Sequence, residues 1–166
     1  MPVAGVVVAV AAPPTLVALR ALGLGDLLAA VPALRALAAA HPTHRRVLAA
    51  PRALAPLGPD PARAPTRAER AVDALVDLPA WVGGGDVPER RWAAALPPRP
   101  DVAVDLHGRG PESHRLLLAT SPRRLIAFAH PDVPASAGGP GWDGREHEVA
   151  RWCRLLAACG IAETGS

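Results

Sequence analysis

The sequence lacks lysine, and all 18 of its basic residues are arginine. It also lacks tyrosine and has one phenylalanine and four tryptophans, which leaves few rings for stacking against nucleobases. The net charge of +3 permits an anionic partner, but the arginines are dispersed along the chain rather than gathered in one basic stripe. This combination argues against a nucleic-acid-binding protein.

Cysteine is scarce, with two residues in the whole chain. Cys153 and Cys159 are six positions apart, so a helix places them on different faces, and we expect neither a disulfide nor a metal pair between them. Such cysteines are typical of core positions in a reducing cytoplasm. Residues 1–14 are apolar but short and have no basic segment, which predicts a poorly ordered extension rather than a signal peptide or a membrane span.

What the chain does contain is a hydrophobic fraction of 50% in 166 residues, enough for one domain with a substantial core. Short apolar runs predict five strands, at residues 16–19, 46–50, 72–78, 101–106 and 124–128. Stretches between and after them predict helices, at residues 26–41, 51–57, 89–96, 113–120 and 145–159. This alternation predicts an α/β fold, a Rossmann-like doubly wound parallel sheet with helices on both faces.

A glycine turn with the sequence RALGLGD follows the first predicted strand. Gly23 and Gly25 allow a sharp turn, and Asp26 stands where we expect the helix to begin, as its N-cap. The dinucleotide fingerprint GxGxxG fails here, because its third glycine position is Leu28 and the end of the next predicted strand has no acidic residue. The carboxylate of Asp26 would also repel a phosphate at this helix end, but it suits proton abstraction from a hydroxyl.

A second polar, glycine-rich loop, HGRGPESHR, follows the fourth predicted strand. Ligands of doubly wound sheets bind at the carboxyl ends of the strands where the strand order reverses, which are the first and fourth strands here. We therefore expect Asp26 and His107 to converge on one cleft.

Four stretches carry a resemblance to a known family: RALGLGDLLAAVPALRAL, DVAVDLHGRGPESHRLLLA, RRLIAFAHP and HEVARWCRLL. In this order they resemble the first domain of glycosyltransferase family 9, the ADP-heptose:lipopolysaccharide heptosyltransferase-like enzymes, over most of residues 15–161. The resemblance implies a GT-B architecture, in which two Rossmann-like domains face each other across a cleft. The first domain binds the sugar or glycolipid acceptor and the second binds the nucleotide-sugar donor. The implied reaction is inverting and uses neither a metal nor a cofactor.

The acidic residue of the family's glycine turn falls on Asp26, which the resemblance implies to be the catalytic base. Attack on an anomeric carbon requires the acceptor hydroxyl to lose its proton as the diphosphate leaves. A role limited to capping the helix is an equally good interpretation of this stretch alone, and the two roles can coexist. Gly23 and Gly25 would let the acceptor lie against the backbone.

Six further residues of the two loops and the helix after them are candidates for substrate binding: His107, Gly108, Arg109, Ser113, Arg115 and Arg20. They could hold sugar hydroxyls or an anionic group of the acceptor. Ser113, Arg115 and Arg20 are the weaker candidates, and Arg20 could instead pair with a structural carboxylate. For His114, a satisfied histidine on the helix surface is as good an interpretation as a residue that contacts the ligand.

Three residues near the end of the chain, His147, Arg151 and Trp152, we interpret as structural, with Trp152 in the core. Residues 162–166 would begin an interdomain linker or end a cut fragment. A GT-B enzyme needs roughly twice the residues of one ordinary domain, so the resemblance implies that the donor-binding domain is absent and that the chain is inactive alone.

Two functions therefore stay open. One is the acceptor-binding half of a glycosyltransferase of lipopolysaccharide or cell-envelope biosynthesis, cytoplasmic or peripheral to the inner face of the plasma membrane. The other is a non-catalytic Rossmann-like module that binds an anionic small molecule or a partner protein. The oligomeric state is not determined by the sequence.

Overall fold

The computed structural model describes residues 12–57, 71–81 and 89–162. The elements follow one another in the order β1 Thr15–Leu19, α1 Leu24–Ala40, β2 Arg45–Ala50, a 3-10 helix Arg52–Leu57, β3 Ala74–Asp77, α2 Glu89–Ala95, β4 Val102–Asp105, α3 Glu112–Leu118, β5 Arg124–Ile126, a 3-10 helix Pro134–Ser136 and α4 Glu148–Ala158. The expectations for residues 1–11, 58–70 and 163–166 lie outside the described residues.

The five described strands form one parallel sheet in the order β3-β2-β1-β4-β5. The chain moves from β1 outwards to β3, then returns to the other side of β1 with β4. Parallel strands need a crossover connection between them, and such a connection usually contains a helix that packs on the sheet. The predicted α/β class and the reversal of strand order beside the first strand are confirmed, as is the edge position of β3.

Two apolar clusters, one on each face of the sheet, form the core. Alternate residues of β1 point to opposite sides: Leu16 and Ala18 belong to the first cluster, Val17 and Leu19 to the second. Helices α1 and α4 pack together over the first face, whereas α2 and α3 pack together over the second. These four residues are at most 2% exposed, which is typical of a central strand covered on both faces.

Helix α1 begins earlier than the sequence predicts, and this corrects the position of Asp26. The N-cap is Gly23, and Asp26 is the third helical residue. Its carboxylate oxygen Oδ2 accepts the amide hydrogen of Gly23 at 3.0 Å. The carboxylate therefore satisfies a backbone donor at the helix start by reaching back from the first turn, instead of capping the helix from in front of it.

The last helix, α4, also differs from its predicted bounds, because it begins at Glu148 rather than at Arg145. His147 is its N-cap, and its Nδ1 accepts the amide hydrogen of Val149 at 3.3 Å. Gly160 follows the helix with φ +83°, a left-handed conformation that suits the predicted helix stop. Trp152 is fully buried in the core, as predicted, and neither cysteine forms a disulfide.

Candidate functional site

The two glycine-rich loops leave the sheet side by side. Strands β1 and β4 pair in parallel, with Leu19 opposite Asp105 at the carboxyl ends. The chain continues from these residues into the turn at residues 20–23 and into the loop at residues 106–111. The predicted juxtaposition of the two loops is therefore confirmed.

Arg20 joins the two loops from below. Its side chain is fully buried, and Nε donates to the backbone carbonyl of Asp26 at 3.0 Å. Nη1 donates to the carbonyl oxygen of Leu106 and, at 3.4 Å, to that of His107. Nη2 forms ion pairs with Asp26 and with Glu148 at the start of α4. Of the two interpretations offered for Arg20, the geometry matches the structural pairing, because its donors point at protein acceptors and its side chain has no exposed surface.

Asp26 lies at the mouth of this arrangement. Its side chain is 41% exposed, with Oδ2 on the amide of Gly23 and Oδ1 3.4 Å from Nη2 of Arg20. The carboxylate oxygens accept a hydrogen bond in both contacts, and their remaining lone pairs face solvent. The side chain is thus oriented by two donors while remaining accessible to a hydroxyl group.

His107 is partly buried on the other side of Arg20. The indole of Trp81 stacks on its imidazole, with ring centroids 4.6 Å apart and planes 13° apart. Burial lowers the pKa of His107 and the charge of Arg20 lowers it further, which outweighs the opposite effect of the carboxylates of Asp105 and Asp26. The imidazole is therefore neutral at pH 7, so it suits hydrogen bonds with sugar hydroxyls better than an ion pair with an anionic group.

Asp105 lies at the base of the second loop and is fully buried. Its Oδ1 accepts the amide hydrogens of His107 at 2.8 Å and Gly108 at 3.3 Å. Its Oδ2 lies 2.6 Å from Nδ1 of His114, and the side chain of Ser113 also hydrogen-bonds to this carboxylate. The interpretation of His114 as a surface histidine is wrong, because the packing of β4 and Phe128 around it leaves the residue 0% exposed.

The residues Ser113, Asp105 and His114 do not form a hydrolase-type triad, although the residue types match. Such a triad needs the histidine between the serine and the aspartate, so that its second nitrogen activates the hydroxyl. Here the aspartate lies between the other two, and Nε2 of His114 faces the carbonyl oxygen of Phe128 at 2.8 Å. The cluster is arranged to hold a loop and not to generate a nucleophile.

A cavity of about 470 Å³ opens along the second loop. This volume lies within the range of small-molecule sites, roughly 300 to 1,000 Å³. Its lining consists of Leu22, Trp81, the loop from His107 to Pro111, Glu112, Ser113 and His130. Four of the predicted binding residues, His107, Gly108, Arg109 and Ser113, thus share one wall.

Other predicted residues lie elsewhere. Asp26 and Gly25 lie in the first turn of α1 and Gly23 is its N-cap, and none of the three lines the cavity. Arg115 is exposed on α3 outside the cavity. Gly25 lies in the first turn of α1 with open space beside its Cα, and Gly23 has an extended conformation that any residue adopts. The predicted sharp turn therefore does not depend on glycine at either position. The role of each residue in ligand binding stays a prediction.

Sequence reasoning missed three contributors to the site: Trp81, Asp105 and His130. Asp105 had a usable signal, since it is the acidic end of an otherwise apolar buried strand. Trp81 and His130 had none, because each comes from a loop whose path along the cavity depends on the packing of distant elements. Among the described residues, no three His, Cys, Asp or Glu side chains gather closely enough to hold a metal ion.

The fold and the paired loops define the class of domain, a Rossmann-like α/β domain of the kind that glycosyltransferases contain. No family model matches the chain, and no curated protein matches it. Solved structures do match it. A glycosyl transferase family 9 protein from Veillonella parvula superposes with a TM-score of 0.68 at 15% identity. The E. coli heptosyltransferase WaaC does so with TM-scores of 0.55 with ADP and 0.57 with ADP-2-deoxy-2-fluoro heptose, both at 17% identity.

In each comparison 92% of this chain is covered, but only 42% to 50% of the other protein. The chain therefore spans half or less of the length of these glycosyltransferases. The resemblance seen in the sequence motifs extends to the three-dimensional fold, which is glycosyltransferase-like. Within the described residues, no helix combines the length and the apolar character that crossing a membrane requires.

Proposed function

We propose that this chain is the acceptor-binding half of an inverting, metal-independent glycosyltransferase acting on a cell-envelope glycoconjugate. The observation that carries the proposal is the carboxylate of Asp26. It is partly exposed at the carboxyl edge of the sheet, oriented by the amide of Gly23 and by Arg20, and next to the loop of His107. The similarity of the fold to a family 9 glycosyltransferase and to a heptosyltransferase supports the same function.

In the proposed reaction, Asp26 accepts the proton of an acceptor hydroxyl as its oxygen attacks the anomeric carbon of the donor sugar. The new glycosidic bond forms while the bond to the diphosphate breaks, and the nucleoside diphosphate leaves with the electron pair. Attack from the face opposite the leaving group inverts the anomeric configuration. Two hydrogen bonds hold the carboxylate in place, which reduces the entropy lost on reaching the reactive geometry.

The cavity supplies the place for the acceptor in this proposal. The neutral imidazole of His107 can donate one hydrogen bond and accept another, which matches the dual character of sugar hydroxyls. Arg109 is exposed at the rim and would meet an anionic group of the acceptor. Ser113 is buried in the wall and already bonded to Asp105, so its part is to support the loop.

The nucleotide-sugar donor would bind mainly to a second domain, since the matched glycosyltransferases are at least twice as long as the matched part. We propose that the 166 residues alone bind the acceptor without transferring sugar. The reaction would take place in the cytoplasm, at or near the inner face of the plasma membrane where lipid-linked acceptors lie. Sugar transfer from a nucleotide-sugar by the isolated chain would contradict the proposal that the 166 residues alone are inactive.

The second candidate function, a non-catalytic binding module, is favoured by one observation. The cavity follows the second loop, and Asp26 does not contribute to its lining. A ligand could therefore bind between Trp81 and Arg109 without reaching the carboxylate. The glycosyltransferase requires the carboxylate of Asp26 as a base, whereas the binding module does not require it.

The test supplies the chain with a donor-binding domain and compares Asp26→Asn with the wild type. Asparagine keeps an oxygen for the amide of Gly23 but cannot accept a proton at neutral pH, so we expect sugar transfer to cell-envelope extracts to fall by about 10² to 10⁴. Glu89→Gln is the matched control, because it neutralises another acidic residue in the first turn of a helix. Equal transfer by Asp26→Asn and wild type would refute the catalytic role. Unchanged acceptor affinity with no transfer by either protein would favour the binding module.

A further inference from the structure

The buried pair formed by Asp105 and His114 is not explained by the proposed reaction. Both residues are 0% exposed, and neither lines the cavity. Burying two ionisable side chains costs free energy unless their hydrogen bonds are satisfied. In the structure, the pair forms hydrogen bonds and packing contacts with the loop along the cavity.

The hydrogen bonds determine how many protons the pair carries. Nε2 of His114 lies 2.8 Å from the carbonyl oxygen of Phe128, which can only accept, so Nε2 must carry a hydrogen. Nδ1 lies 2.6 Å from Oδ2 of Asp105, a contact that also needs one proton between the two atoms. A carboxylate paired with a doubly protonated imidazolium satisfies every one of these contacts.

The loop along the cavity rests directly on this pair. The other carboxylate oxygen of Asp105 accepts the amide hydrogens of His107 and Gly108. Gly110 has φ +78°, and a Cβ there would lie 2.8 Å from three atoms of the His114 ring. Only a glycine lets the backbone approach the imidazole face this closely. One end of the loop is therefore bonded to the aspartate and the other end is packed on the histidine.

We infer that Asp105 and His114 are positioning residues, and that the shape of the cavity wall at residues 107–111 depends on His114 carrying both ring protons. The pair acts through the loop, since neither member reaches a ligand in the cavity. The inference holds for a sugar acceptor or for any other ligand, so its failure would leave the proposed function standing.

The charges around His114 agree with this protonation state. Burial acts to lower the pKa of His114, but the hydrogen bond and charge of Asp105, the carbonyl of Phe128 and the charge of Glu112 outweigh it, and the pKa is raised. The ring of His130 lies 6.4 Å away, edge to face. For Asp105, burial acts to raise the pKa, but the hydrogen bond to His114 and its charge lower it.

A raised pKa fixes the direction of the pH dependence. The stabilising contribution of His114 is fully present below the ordinary pKa of a histidine and is lost as the pH rises through its pKa in the folded protein. Loss of the proton leaves a nitrogen lone pair facing a carbonyl oxygen or the carboxylate. The loop should therefore rearrange as the pH rises above the ordinary pKa of a histidine.

The test is an NMR titration of the ¹⁵N-labelled chain, following the histidine ring nitrogens and the backbone amides together. We expect both nitrogens of His114 to be protonated at pH 6, below the ordinary pKa of a histidine. We further expect the amide signals of Gly108 and Arg109 to shift as the pH rises, and the midpoint of this shift to equal the titration midpoint of the His114 ring. A neutral His114 at pH 6, or loop amides that stay unchanged while His114 titrates, would overturn the inference.

A pair of glycine variants tests the packing contact. In Gly110→Ala the new methyl group meets the His114 ring in a backbone conformation unfavourable for alanine, so we expect the His114 midpoint and the loop amide signals to move together. In Gly108→Ala the methyl group meets no atom within 4 Å, so the His114 midpoint should stay as in the wild type. Equal behaviour of the two variants would contradict the inference. The wild-type titration decides it even where Gly110→Ala does not fold.

Discussion

Replacing Arg20 with methionine removes the guanidinium that joins the turn after β1 to the loop after β4, while keeping much of the side chain's volume. The carbonyl oxygens of Asp26 and Leu106 lose a charged donor. Each hydrogen bond from a charged group contributes about 1.5 to 3 kcal/mol to stability. Because Leu106 is fully buried, its carbonyl oxygen has little access to water as a substitute partner.

The two ion pairs of Arg20 add less than their number suggests. The carboxylate side chains of Asp26 and Glu148 are 41% and 34% exposed, so water replaces the guanidinium once it is removed. Exposed pairs contribute roughly 0 to 1 kcal/mol, and removing a buried charge also relieves its desolvation cost. We therefore expect Arg20→Met to lower the free energy of unfolding by about 2 to 4 kcal/mol.

Urea unfolding measures this effect, with an unchanged m-value showing that the compactness of the two states is preserved. Arg20→Lys keeps the charge but not the planar array of donors, so we expect an intermediate loss, about 1 to 2 kcal/mol. Arg115→Met is the matched control on exposed α3 surface and should stay within about 0.5 kcal/mol of the wild type. A loss below about 1 kcal/mol for Arg20→Met would refute the view that its hydrogen bonds hold the two loops together.

Two further predictions concern backbone packing and the titration of the site. A Cβ on Gly139 would lie 1.9 Å from the carbonyl oxygen of Ala127, so Gly139→Ala should lower the free energy of unfolding by more than about 2 kcal/mol in the same urea assay. Gly138→Ala is the control, because a Cβ there meets open space and should not destabilise the fold. Equal stabilities of the two variants would contradict the close packing at Gly139. Because burial is the largest cause of the lowered pKa of His107, Trp81→Ala should raise the NMR titration midpoint of His107 towards its ordinary value. A midpoint that stays or falls would show that Trp81 is not what shields the ring.

Much of the fold could be predicted from the sequence because its signals are local. Apolar runs such as residues 101–106 and the glycines and prolines between them indicated five strands in the correct chain order. The rule that connects strand order to ligand position then placed the two glycine-rich loops at neighbouring strand ends. Element ends were less certain. Helix α1 begins two residues before Asp26, because the carboxylate of Asp26 accepts the amide hydrogen of the N-cap Gly23 from within the first turn.

The candidate site could be predicted less well, because its decisive contacts join residues far apart in the chain. Arg20 meets Glu148 across 128 positions, and its burial depends on the packing of α4 against α1. His114 looked like a surface residue in the sequence pattern of its short helix. The carbonyl of Phe128 and the carboxylate of Asp105 close around it only after β4 and the segment behind β5 have assembled.

The sequence by itself therefore determined the class of fold, the order of the strands along the chain and the two loops that meet at the switch in strand order. These follow from hydrophobic periodicity and turn residues, which act over a few neighbouring positions. Only the tertiary structure decided which charged side chains are buried and paired, and which remain open to a ligand. Burial and electrostatic partners depend on elements brought together from the whole chain, and no local pattern of residues encodes them.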